Sequence, residues 1–105
     1  MNYSVDAPRN RSREAWTPSR RSTTWWQLHK TRGLPAFDAR VTPVDPESFQ
    51  AWNEVIVATI VEPNAQAIAL NAQLHADAAD RRVEVRWTEK VLGVPIRRRS
   101  LITLG

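Results

Sequence analysis

Near the end of the chain, Val83, Val85 and Trp87 alternate with Glu84, Arg86 and Thr88. A period of two places one set on each side of an extended backbone, which predicts a half-buried β-strand. Leu92-Gly93-Val94-Pro95 then reads as a turn, and Ile96 to Leu104 as a second strand. Two strands this close in sequence pair as an antiparallel hairpin. Its register decides which side chains share a face. A four-residue loop over 92–95 pairs Val91 with Ile96, Trp87 with Ser100, Val85 with Ile102 and Val83 with Leu104. That register gathers the apolar residues on one face and sets Glu89 beside Arg98. A two-residue loop would place Arg86 opposite Arg99, and like charges directly opposed are unfavourable. The four-residue loop is therefore expected, with Arg86, Lys90, Arg97 and Arg99 together on the other face. A lone hairpin is marginal in water, so something must cover its apolar side.

The middle of the chain offers two candidates for that cover. Asp45-Pro46-Glu47 combines a capping residue, a proline suited to the first helical position and an acid that favours the positive helix end. Phe49, Trp52, Ile56 and Ile60 follow at spacings of three and four, which predicts a helix through about residue 58. Seven of the fifteen residues from Ala65 to Ala79 are alanine, the best helix former, which predicts a second helix. Both segments also carry the opposite signal. Val55 to Val61 is β-branched, and Ile68, Leu70, Ala72, Leu74 and Ala76 alternate with period two. The expected fold class is α+β, two helices packed on a C-terminal antiparallel β-hairpin. The alternative is a mostly β domain. Ala39 to Thr42 reads as a short edge strand stopped by Pro43, and Trp25 to Lys30 as a short helix or strand.

At 105 residues the chain has room for one domain. Its net charge of +4 conceals three blocks. Residues 1–32 hold seven basic and two acidic side chains, 33–80 one and seven, and 81–105 seven and two. Residues 1–24 are poor in apolar side chains, so they bury too little to offset the entropy of ordering. They are expected to form a flexible, extended basic arm ahead of a single domain over 25–105. The arm has no apolar run of the secretory kind, and no stretch reaches the roughly 20 apolar residues of a membrane span. A cytoplasmic or virion-associated location is expected, without a membrane.

Several chemistries are disfavoured by the residues themselves. The chain has no cysteine, which excludes disulfides and thiolate metal sites. His29 and His75 lack metal-ligand spacing, and nothing local brings them together with Lys30. No catalytic residue, metal, cofactor or small-molecule substrate is expected. The candidate contact residues are of another kind. Arg9, Arg11, Arg13, Arg20 and Arg21 surround Trp16 in the arm, and guanidinium groups with an aromatic suit phosphates, bases or an acidic protein surface. Trp25 and Trp26 suit anchors in a partner's pocket, or a small core's cap. Arg86, Lys90, Arg97 and Arg99 attract the same anionic partners, while equally keeping an edge strand from pairing with other chains.

The expected function is a non-enzymatic structural or assembly component. It would dock through its arm and hairpin into a larger complex, as small bacteriophage virion or neck-type proteins do, with proteins or copies of itself as partners. Two alternatives remain from these residues. One is a nucleic-acid-binding protein using the basic arm and hairpin. The other is a small inhibitor of a nucleic-acid-processing enzyme, whose acidic middle would imitate nucleic-acid charge.

Overall fold

The computed structural model describes residues 15–53, 55–57 and 60–105. Among these residues eight strands run in chain order: β1 (Trp16–Arg20), β2 (Trp25–Lys30), β3 (Phe37–Pro43), β4 (Phe49–Trp52), β5 (Val55–Val57), β6 (Ala67–Leu74), β7 (Arg82–Val91) and β8 (Val94–Thr103). They form two four-stranded antiparallel sheets, ordered β1-β2-β6-β4 and β5-β3-β7-β8. Between β2 and β7 the chain crosses from sheet to sheet at every step, so neither sheet is complete without distant parts of the sequence. Trp16, Trp26, Leu28, Ile68 and Leu70 from the first sheet meet Val41, Val83, Val85, Trp87 and Ile102 from the second in one core.

Among the described residues the two expected helices are absent, and the mostly β alternative describes the fold. Asp45-Pro46-Glu47 does begin a helical turn, but only the 3-10 turn Pro46–Ser48 results. Asp45 accepts a hydrogen bond from the Ser48 hydroxyl at 2.7 Å instead of capping backbone N–H groups. Ser48 also accepts the Asp80 N–H at 2.9 Å, which ties the turn to the approach to β7. Phe49–Trp52 and Val55–Val57 are strands; the β-branched run from Val55 carries the signal for the second, whereas Phe49–Trp52, expected in the first helix, has no such run. In β6 the period of two prevails over alanine content, with Ile68, Leu70 and Ala72 buried and Ala69 and Asn71 outward. Helix propensity differs by at most about 0.7 kcal/mol between ordinary residues, whereas burying one large aliphatic side chain is worth about 1.5–3 kcal/mol. The alternating face wins that comparison.

Two further corrections concern boundaries. Residues 16–20, expected in the arm, are the edge strand of the first sheet, and the Trp16 side chain is fully buried. Its indole packs edge-on against Trp87 at 5.5 Å between ring centroids, joining the two sheets. The segment 1–14 lies outside the described residues. β3 is a strand, as expected, but it lies between β5 and β7 instead of at an edge. Proline instead marks the β1 edge, where Pro18 removes a donor.

Candidate functional site: a basic sheet face

The hairpin turns over two residues, Leu92 and Gly93, and Val91 pairs with Val94. The expected four-residue loop is therefore wrong by a slide of two residues. Trp87 faces Arg98, and Arg86 does face Arg99. A slide of two preserves parity, so the faces keep their expected members. Val83, Val85, Trp87, Glu89 and Ile102 are buried, while Arg86, Lys90, Arg97 and Arg99 are all exposed on the opposite side. The structure adds one residue to this basic face. β3 pairs with β7 so that Arg40 lies opposite Arg86. Arg40, Arg86 and Arg99 thus form a row across three adjacent strands, about 5 Å from one strand to the next.

Such a row repels itself unless anions intervene. Among the described carboxylates, Glu84 is the one that pairs with the row. One of its oxygens accepts from Arg86 Nε at 2.8 Å, and the other lies 3.4 Å from Arg99 Nη1. Arg40 and Arg97 have no ion pair with a described carboxylate. Both line an open groove of about 510 Å³ with Asp38, Arg86 and Thr88, with Val57 and Trp87 completing it. Lys90 places its ammonium 4.7 Å from the Phe37 ring centre, a cation–π contact that leaves its charge unneutralised.

The side of β7 one residue away handles charge in the opposite manner. Lys30 is fully buried, and its ammonium lies 3.2 Å from Glu89 Oε2. Trp87 Nε1 donates to the same oxygen at 2.9 Å, and Arg98 Nε stands 3.4 Å from Oε1. The Lys30 ammonium also donates to the Arg32 carbonyl and sits within 5.9 Å of the Trp16 and Trp87 ring centres. Burial pushes the Glu89 carboxyl up. Hydrogen bonds from Trp87 and Lys30, with the charges of Lys30 and Arg98, outweigh burial and hold it below the ordinary value. A cleft of about 430 Å³ opens beside this cluster, bordered by Arg32, Gly33, Arg98, Arg99 and Ser100. Glu89 beside Arg98 agrees with the sequence reading, while Lys30 was not foreseen there. Its signal is the alternation of Trp26, Leu28 and Lys30, which carries the lysine inward.

The other expected contact residues are dispersed. Arg9, Arg11 and Arg13 lie outside the described residues. Trp16 and Trp26 are core residues, and only Trp25, at 39% exposure, is open to a partner. Arg20 lies 5.7 Å over the Trp26 ring and donates to the Ser22 carbonyl, and Arg21 is exposed beyond the end of β1. His29 pairs opposite Ala67 at one end of β6, while His75 follows the other end, about 26 Å away along the strand. Comparison with known proteins gives no match: no family model, no curated protein and no solved structure aligns with this chain.

Proposed function

We propose that this protein binds nucleic acid through the outer face of the β3-β7-β8 sheet. One observation carries the reading: Arg40, Arg86 and Arg99 stand in one row beside Arg97 and Lys90, and Arg40 and Arg97 lack an ion-pair partner among the described residues. Guanidinium groups bind phosphate oxygens in a fork, and a row of them follows a repeating polyanion better than a single charge. Charged and polar residues make up most of the lining of the groove beside the row, and the aromatic residue among them, Trp87, is buried. Contact to the sugar-phosphate backbone is therefore favoured over stacking on bases. Arg32, Arg98 and Arg99 around the neighbouring cleft extend the positive surface over the β8 edge.

The test is fluorescence anisotropy of a labelled DNA duplex, titrated with protein over a series of salt concentrations. With about four phosphates engaged, log K should fall with log salt with a slope of about −3.6. An acidic polypeptide of similar length serves as the competitor. Absence of binding at about 50 mM salt overturns the reading. So does equal affinity for the acidic polypeptide, which would mark a surface for acidic proteins.

A further inference from the structure

The tip of the β7–β8 hairpin violates two ordinary rules at once. Leu92 is 99% exposed, with Val94 at 55% and Val91 at 37% beside it. These three sit together at the turn, whereas Trp25, Leu34, Val44 and Ile60 are exposed elsewhere and Leu101 lies further down the hairpin, opposite Glu84. Leu92 also has φ 52°, followed by Gly93 at φ 82°. A two-residue hairpin turn with both residues left-handed favours asparagine or glycine at its first position. Leucine crowds its own carbonyl there, so the turn itself gives no reason for it. Packing gives no reason for it either, since at 99% exposure Leu92 is covered by none of the described residues.

The tip projects beyond its support. β3 pairs with β7 only as far as Thr88, so among the described residues Glu89, Lys90 and Val91 have β8 as their only sheet neighbour. Just behind the apolar tip come Lys90 and Arg97, and then the Arg86–Arg99 pair. An apolar point on a ribbon with cationic flanks matches how side chains enter a duplex: the cations hold phosphates while the wedge partly unstacks one base step.

We propose that Leu92, supported by Val91 and Val94, is such a wedge, inserting between base pairs of a DNA duplex. The inference rests on the nucleic-acid reading above. A bare apolar tip would suit a membrane or a protein pocket equally well. The cations on both strands behind it select a polyanion, and their spread onto β3 selects one that lies along the sheet face.

The experiment uses the full chain and a duplex carrying 2-aminopurine, whose emission rises when its stack opens. Wild-type protein should raise that emission on binding. Leu92→Asn suits the turn better, so its melting temperature should equal or exceed that of wild type. It should keep the salt slope within about 0.5 of wild type while losing the emission rise. An equal rise with Leu92→Asn overturns the wedge. Salt-dependent binding of wild type with no rise also overturns it, and leaves the nucleic-acid reading standing. Absence of any binding defeats that reading and the wedge with it. Binding to phosphatidylserine vesicles that Leu92→Asn abolishes, with an unchanged emission rise on DNA, assigns the tip to a membrane and overturns the proposal.

Discussion

On β7, residues one position apart treat charge in opposite ways. The inward residues Val83, Val85, Trp87 and Glu89 are buried, and the one charge among them is matched by three donors: Lys30, Trp87 and Arg98. The outward residues Arg82, Glu84, Arg86 and Lys90 sit in a field of excess positive charge, with Glu84 shared between two arginines. The inner charge is complete within the fold, whereas the outer charge is left incomplete. The difference implies that inner substitutions change stability and outer ones change binding.

The largest effect is expected at Glu89. Glu89→Gln leaves the fully buried Lys30 without its counter-charge, which should cost about 3–5 kcal/mol in denaturant unfolding. Combining Lys30→Met with Glu89→Leu removes both charges and should recover most of that loss. If the double variant is as unstable as Glu89→Gln, the pair does more than balance itself, and the contrast between the faces is misdrawn. The pH dependence has a definite sign. The Glu89 carboxyl is held low in the folded state, so it binds its proton more readily when unfolded. Its contribution is complete above the ordinary carboxylate range and is lost as pH falls through the lower folded value. The stability gap between wild type and Glu89→Gln should therefore narrow in thermal melts below about pH 4. A constant gap down to pH 2 would show that the carboxylate's charge is not what stabilises the cluster.

This contrast is partly legible in the sequence. Alternation over 83–88 identified the strand and assigned both faces, and the assignment survived an error in register because the slide was even. The sequence argues against the two-residue loop because it opposes Arg86 to Arg99, and the Glu84 bridge that relieves that opposition depends on the register itself. Lys30 and Arg40 were missed for a different reason. Each meets β7 or its side chains across a non-local pairing, and periodicity tells which way a residue points but not which strand stands beside it. The helices failed at 45–58 and 65–79 because both periods were present. Only the rest of the core, Trp26, Leu28 and their neighbours, decides in favour of the alternating one.

The next effect in size lies on the outer face. The double variant Arg40→Ala with Arg97→Ala removes the two arginines that lack a carboxylate partner among the described residues. Its salt slope on duplex DNA should be shallower by about 1.8, corresponding to two phosphate contacts, with stability within about 0.5 kcal/mol of wild type. The control sits on the other sheet, where Gln27 and Asn71 occupy outward positions of β2 and β6. Gln27→Ala with Asn71→Ala should leave the slope unchanged. A slope that falls equally in both double variants would show that the two outer faces do not differ in function.

The smallest effect tests whether the outer charge is held against its own repulsion. Arg40 faces Arg86 directly, and Glu84 is already engaged by Arg86 and Arg99. Arg40→Thr keeps strand propensity while removing one of the opposed charges. At low salt it should raise stability by about 0.2–0.5 kcal/mol, within the range for a cross-strand pair. The gain should vanish near 1 M salt, where the screening length is about 3 Å. A loss of stability at low salt would mean that Arg40 contributes packing through its methylene stem, and that the row is not self-repelling. A gain that disappears with salt, joined to weaker DNA binding by the same variant, would mean that the face holds its arginines for a partner at the expense of the fold.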